Sequence, residues 1–369
     1  MKISRLQLKS FRNYGECDLA LSPDVTLLSG SNAQGKTNLL EGLYALSAGT
    51  SFRTSKDSEM VRWGDEAAWI KGHISGAHSD FTMTLSVSSS GRKIARLNDV
   101  EKIKPSALSD RLNVVAFIPD DLNLVKGSPS DRRKFLDLHI SQLSPIYRED
   151  LNIYSKVVAQ KNALLKAYHE MEGAARLLDV FNDEMVSVGT RIIEARADAV
   201  LRMTPFAAET YSFIAGSEEA LSVGYMPSVD AQDMSDASRI ASRFREKLWA
   251  LRAAEIARGA CLAGPQRDDL ALEVSGRPAS MYGSQGQQRT VVVSLKLAEA
   301  EIIATSRGEA PVVLLDDVLS ELDEGRKGRL ISRFIGRCQT VVTATDSDVA
   351  FSMPGCLAYK VAAGRAVPA

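Results

Sequence analysis

The octapeptide Gly30-Ser31-Asn32-Ala33-Gln34-Gly35-Lys36-Thr37 follows the pattern G-x-x-x-x-G-K-[ST], and an acidic strand end, Val312-Val313-Leu314-Leu315-Asp316-Asp317, places Asp316 279 positions beyond Thr37. The first pattern uses glycines so that backbone N–H groups can turn inward around a phosphate, a lysine for the β/γ charge, and a hydroxyl for magnesium. The second puts carboxylates at the C-terminal edge of a continuous apolar strand, where α/β sheets hold ligands. Compact nucleotide-binding domains keep both halves within one short stretch. A separation this long means that a large insertion interrupts the nucleotide-binding fold.

The flanks fit the mechanism. Val25-Thr26-Leu27-Leu28 is a short apolar run before the loop, and Asn38 to Leu46 carries apolar residues at helical spacing after it. A strand thus feeds a helix N-terminus, whose dipole and N–H groups favour an anion. The competing reading, a chance glycine turn, gives no reason for these flanks. Gly30, Ser31, Asn32, Ala33, Gln34, Gly35, Lys36, Thr37 and Asn38 are therefore read as ATP-binding positions, with Lys36 also catalytic. Thr37 and Asp316 are assigned to Mg²⁺, and Asp317 to orienting or deprotonating the attacking water. The alternative for Asp317 is a cap on the following turn. Phosphoryl transfer needs metal and water both positioned, which favours the catalytic role.

Upstream of the acidic strand lies Tyr282-Gly283-Ser284-Gln285-Gly286-Gln287-Gln288-Arg289, then Thr290 to Ala298, an apolar run compatible with helix or strand. A serine and glycines at a helix start form a second anion-binding nest. By themselves Gly283 and Gly286 read as a flexible turn before a core helix. Their place ahead of an acidic strand matches ABC-type ATPases, in which the serine-glycine nest of one subunit covers the γ-phosphate held by another. Ser284, Gln285, Gly286 and Gln287 are expected to bind ATP in trans, with Ser284 catalytic. Ser320-Glu321-Leu322-Asp323 stands at the place of the D-loop. Gln339 to Asp346 reads as a further buried strand, and it carries Thr345 where that class has a switch histidine.

With these motifs assembled, the chain resembles the RecF family, bacterial recombination mediators related to the SMC ATPases. The resemblance spans essentially the whole length. It includes Leu6 to Tyr14, Asn32 to Asn38, Ser51-Phe52-Arg53-Thr54, Pro119-Asp120-Asp121-Leu122, Val125 to Pro129, Arg132-Arg133, and Gly264-Pro265-Gln266-Arg267-Asp268-Asp269-Leu270. Gln266 departs from the family, which has histidine there. The resemblance implies an α/β fold: an ABC-type (SMC/RecF-like) P-loop ATPase head with an antiparallel β subdomain and an inserted helical lobe. It further implies a weak, DNA-dependent, Mg²⁺-requiring ATPase that works as a switch. Such a protein forms an ATP-dependent homodimer, binds double-stranded DNA near gaps, and acts with RecR and RecO to load RecA in replication and repair, with a link to the SOS response.

Composition bounds the rest. The chain has 369 residues, with 45 Lys and Arg against 46 Asp and Glu, so no global field draws it to nucleic acid. DNA contact would be local, and the basic clusters are Arg92-Lys93 with Arg96, Lys102 and Lys104, and Arg132-Arg133-Lys134; the bland reading is a solvated face. Aromatic residues are not interleaved with these bases, which argues against a stacking platform for bare single strands. Cys17, Cys261, Cys338 and Cys356 show neither zinc nor disulfide spacing, so reduced thiols and a cytoplasmic location are expected. No segment reads as a signal peptide or membrane span.

The expected division is a head from 1–129 and 261–369, a β subdomain at about 67–112, and an inserted lobe from 130–260. Phe81 to Val87 and Lys93 to Leu97, turned by Asn98-Asp99, read as antiparallel strands. Val114 to Ile118 reads as a buried strand. In the lobe, Leu178, Phe181, Met185, Val188, Ile192, Ala195 and Ala199 form one apolar stripe. Pro145, Gly173, Pro205 and Gly216 are expected to cut the lobe into pieces too short for an SMC rod. Two rivals remain: a metabolic kinase or ligase with a helical lid, for which the lobe offers no acceptor-positioning residues, and an SMC-like tether without mediator partners.

Overall fold

The computed structural model describes residues 1–76, 79–216, 219–318, 323–334, 336–345 and 355–369. The chain forms two compact units. The first comprises Met1–Asp121, Phe213–Gly216 and Leu295–Ala369, and the second Leu122–Ser212 and Ser217–Ser294.

The first unit is built on two sheets. One is antiparallel, of order β2-β1-β4-β5-β6-β7, from β1 (Lys2–Phe11), β2 (Tyr14–Ala20), β4 (Ala67–Ser75), β5 (Asp80–Ser88), β6 (Lys93–Leu97) and β7 (Glu101–Ile103). The other, of order β15-β14-β3-β13-β12-β8, contains β3 (Val25–Ser29), β8 (Val114–Phe117), β12 (Val312–Leu315), β13 (Thr340–Ala344), β14 (Cys356–Ala362) and β15 (Arg365–Pro368). In it β14, β3, β13, β12 and β8 run parallel, and only β15 is antiparallel. Every residue of β3, β8, β12 and β13 is buried; β8 and β12 are unbroken apolar runs, and β3 and β13 are apolar runs that also carry Thr26, Ser29, Thr340 and Thr343, as strands covered on both faces.

β1 instead alternates, with one face in the core. Ile3 and Leu6 both face inward although three positions apart, because the pairing with β4 shifts register between Ile3 and Arg5. Helix α1 (Lys36–Ala48) lies between the sheets: Leu39, Leu40, Leu43 and Leu46 share one core with Leu6, Leu8, Ile70 and Leu85 of the antiparallel sheet and Val114 and Leu314 of the parallel one. The turn from β6 to β7 has Asn98 at φ 49° and Asp99 at φ 61°, with the Val100 N–H closing on the Leu97 carbonyl at 3.1 Å. Asn and Asp tolerate these left-handed angles, which match the twist of a tight hairpin. Helix α9 (Glu324–Phe334) completes this unit.

The second unit holds α2 (Asn123–Lys126), α3 (Pro129–Leu143), α4 (Pro145–Lys166), α6 (Ala237–Arg258), α7 (Ala279–Tyr282) and most of α5 (Ala174–Ala215). A three-stranded antiparallel sheet joins β9 (Leu221–Met226), β10 (Asp269–Val274) and β11 (Arg277–Pro278) in the order β11-β10-β9. Helix α8 (Gln285–Arg307) begins in this unit and continues in the first, which resolves the helix-or-strand ambiguity of Thr290 to Ala298.

Pro205 does not end a helix as expected. α5 runs through it for 42 residues. Proline removes one backbone donor, and at this point the neighbouring Thr204 hydroxyl bonds the Val200 carbonyl at 2.8 Å and the Val223 carbonyl of β9 at 3.0 Å, tying the helix to the sheet. Most of the stripe holds as packing: Leu178, Met185, Val188, Ile192 and Ala199 are buried, and Phe181 and Ala195 are half-buried.

The basic cluster Arg132-Arg133 turns inward. Arg132 forms a two-bonded pair with Asp269 at 2.6 and 3.0 Å, and Arg133 donates to the Asp268 carbonyl at 2.7 Å. In the first unit Lys93 pairs with Asp57 at 2.7 Å. Gln266, the departure from the family pattern, accepts from the Tyr154 hydroxyl at 2.6 Å and donates to the Ala263 carbonyl at 2.8 Å, so its amide serves local structure.

Candidate nucleotide site

The phosphate loop leaves β3 at its C-terminal edge and enters α1 through Gly35, the N-cap, at φ 117°. Gly30 has φ 148°, and a Cβ there would lie 2.3 Å from the Val361 carbonyl of β14. The loop is therefore pressed against a neighbouring strand at a point only glycine can occupy. Replacing Gly30 by alanine forces both a disfavoured φ and a clash, strain of about 1–3 kcal/mol, and is expected to weaken ATP binding roughly tenfold or more in calorimetry.

Residues from two other segments brace the loop. The Asn13 amide donates to the Gln34 carbonyl at 3.0 Å, and the Tyr14 hydroxyl to the Gly35 carbonyl at 3.1 Å. From the β14–β15 turn, the Ala363 N–H bonds the Gln34 side chain at 2.8 Å and the Gly364 N–H its carbonyl at 3.2 Å. Asn38 donates to Asn13 at 2.8 Å and accepts from Arg53 at 2.5 Å. Beneath them Glu41, with no exposure, takes two bonds from Arg12 at 2.6 and 2.8 Å and one from Ser51 at 2.5 Å. The stretches Leu6 to Tyr14 and Ser51 to Thr54 are thus the frame of the phosphate loop.

Lys36 is buried, and its ammonium donates to the Gly30 and Ser31 carbonyls at 2.5 and 3.0 Å. Burial lowers its pKa while Asp317 and Asp316 push it back up. The Thr37 hydroxyl donates to Asp316 at 3.0 Å, joining residues 279 positions apart. Asp316 is buried at the end of β12; burial raises its pKa, and bonds from Thr343 and Thr37 oppose that rise. Asp317 has φ 56° and donates its N–H to the Thr343 hydroxyl at 2.8 Å. That hydroxyl also bonds Asp316 at 2.9 Å.

Thr343 was not among the residues expected here. It sits on β13, between the loop-bearing β3 and the acid-bearing β12, and the only sequence signal was a hydroxyl within the apolar run Val341 to Ala344. Thr345 is exposed, just past the end of β13. Ser320, Glu321 and Leu322 of the expected D-loop, and Asp346, lie outside the described residues.

A hydroxyl and a carboxylate 3.0 Å apart are hard oxygen donors, and among the described residues no group of three or more His, Cys, Asp or Glu forms a closed metal cage. Such a sparse donor pair fits Mg²⁺, which keeps waters and takes phosphate oxygens alongside one or two protein ligands.

The second nest opens α8 within the second unit. The Ser284 hydroxyl accepts the Gln287 N–H at 3.2 Å, and the Gln287 side chain accepts the Ser284 N–H at 2.7 Å. This reciprocal cap is the S-x-x-Q box, a signal present in the sequence that explains why the helix starts here. Among the described residues no helix is long and apolar enough to cross a membrane.

A parallel sheet that carries its phosphate loop and its carboxylates on neighbouring strand ends, with an antiparallel sheet beyond the first helix, is the architecture of an ABC-type ATPase head. The N-terminal domain family of RecF, RecN and SMC proteins matches residues 2–362. The chain belongs to the RecF family of DNA replication and repair proteins. It is 42% identical to RecF of Bacillus cytotoxicus over 348 residues, covering 94% of this chain and 93% of that relative. To RecF of Bacillus cereus strain G9842 it is 43% identical over 352 residues, with the same coverage. A solved structure of the recombination mediator RecF with ATP, of the RecFOR pathway, is similar with a TM-score of 0.92 at 31% identity, covering 100% of this chain and 97% of that one. An SMC head bound to a winged-helix domain of ScpA shares the fold, with a TM-score of 0.56 at 16% identity over 99% of this chain and 96% of that one.

Proposed function

We propose that the chain is a weak, DNA-dependent ATPase that closes as an ATP-bound homodimer on DNA at gaps. Each copy holds ATP on Gly30 to Asn38, and Ser284 to Gln287 of a second copy cover the γ-phosphate. The observation that carries this reading is the 3.0 Å bond between Thr37 and Asp316, which brings the two distant halves of the site together. Lys36 offsets charge on the transferring phosphoryl group, and Thr37 and Asp316 hold Mg²⁺. When bound, Mg²⁺ held by Thr37 and Asp316 would supply charge neutralisation to the transferring phosphoryl group. Asp317 accepts the proton of the attacking water, and Ser284 of the second copy orients that water.

The proposed organisation is a head of 1–129 and 261–369 interrupted in sequence by a lobe of 130–260, although 122–129 and 261–294 group with the lobe in the second compact unit. Solved RecF structures are described as recombination mediators of the RecFOR pathway, which supports RecR and RecO as partners; the proposed outcome is RecA loading, in the cytoplasm. Ligand contacts made only in the dimer shift the monomer–dimer equilibrium by mass action. In gel filtration with ATP and magnesium, wild type is expected to elute as a dimer and to bind a gapped duplex, whereas Lys36→Ala stays monomeric and loses that binding. Indistinguishable behaviour of the two would overturn the clamp.

A further inference from the structure

The cap that opens α8 has an outer brace. Within the S-x-x-Q box the Gln287 oxygen is committed to the Ser284 N–H, and its amide nitrogen donates to Glu219 at 2.8 Å. The other Glu219 oxygen accepts from the Tyr211 hydroxyl at 3.1 Å, and Tyr211 is fully buried. A line of bonds therefore runs from a buried tyrosine through Glu219 and Gln287 to Ser284, all within the second unit.

A glutamine amide is nearly symmetric in shape, and turned over it would present its NH₂ to the Ser284 N–H and break the box. An ionised carboxylate can only accept hydrogen bonds, so Glu219 requires the nitrogen on its own side and the oxygen on the Ser284 side. From this geometry we infer that Glu219 is a positioning residue: it selects the Gln287 orientation that holds the Ser284 hydroxyl and the first N–H groups of α8 as they meet the ATP of a second copy. The inference rests on the reading of Ser284 as a trans-acting group.

The test uses Glu219→Ala, Glu219→Gln, Lys36→Ala and Ser284→Ala in the full chain, alone and as mixed pairs, with thermal melts to verify folding. Glu219→Ala is expected to lower ATP turnover about tenfold or more, the loss of a charged hydrogen bond, while a fluorescent ATP analogue binds its own phosphate loop within about twofold of wild type. Glu219→Gln recovers part of the turnover, because its carbonyl still accepts from Gln287. Mixed with Lys36→Ala, the Glu219→Ala chain regains turnover, since that partner lends an intact cap; mixed with Ser284→Ala it does not.

Turnover of Glu219→Ala within about twofold of wild type, or recovery with Ser284→Ala in place of Lys36→Ala, overturns the assignment. The Lys36→Ala and Ser284→Ala pair separates the levels. If that pair regains no turnover, the two-copy pocket fails and Glu219 with it. If it recovers while Glu219→Ala matches wild type, only the Glu219 assignment fails.

Discussion

Asparagine at position 317 is expected to slow ATP turnover by about a hundredfold to ten-thousandfold, the contribution of a positioned general base, while leaving ATP-driven pairing of the chains intact. In the proposed roles Asp317 takes the proton of the attacking water, which requires an ionised carboxylate that asparagine lacks. The backbone there is left-handed, at φ 56°, and is pinned by the N–H bond to Thr343. Asparagine tolerates that conformation and keeps the bond, whereas alanine would add strain that mimics a catalytic loss. Steady-state phosphate release measures the turnover, and gel filtration with ATP the pairing. Should release stay within about threefold of wild type, Asp317 would be the turn cap weighed as its alternative.

The parts of this fold that were legible in the sequence share a cause. β8 and β12 are continuous apolar runs, and β3 and β13 nearly so, because both their faces are covered, and the phosphate loop follows β3 and the acidic pair β12 directly. Backbone chemistry is equally local: Asn98-Asp99 makes its hairpin turn and Ser284 with Gln287 starts α8 by contacts within a few residues.

What was not legible depends on partners distant in sequence. Pro205 reads as a break until Thr204 finds the β9 carbonyl. Arg132 and Arg133 read as a basic patch until Asp268 and Asp269, more than a hundred residues later, absorb them. Thr343 looks like one more strand residue until β13 is inserted between β3 and β12. Glu219 carries no signal at all, because its role exists only through a side chain of Gln287.

The motif Gly264 to Leu270 carries the other large effect, and it concerns stability. Arg196 is buried, with bonds to Asp137 at 2.9 Å, to Asp268 at 2.9 Å and to the Pro265 carbonyl at 2.7 Å. Asp268, also buried, accepts from the Ser228 N–H at 2.7 Å and from the Tyr225 hydroxyl. Burial raises the Asp268 pKa, and Arg196, Tyr225 and Ser228 oppose the rise. Arg196→Ala would leave two carboxylates facing one another's vacated partner, at a cost of about 3–5 kcal/mol, and is expected to lower the melting midpoint by roughly 10 °C. Without the guanidinium the folded Asp268 pKa rises further above its unfolded value. The folded state then binds more protons, so the stability lost to the substitution is greatest at neutral pH and shrinks as pH falls toward the carboxylate range. Melts of wild type and variant across that range test both points; a deficit that does not shrink on acidification would show that lost packing, and not an unpaired buried charge, is the cause.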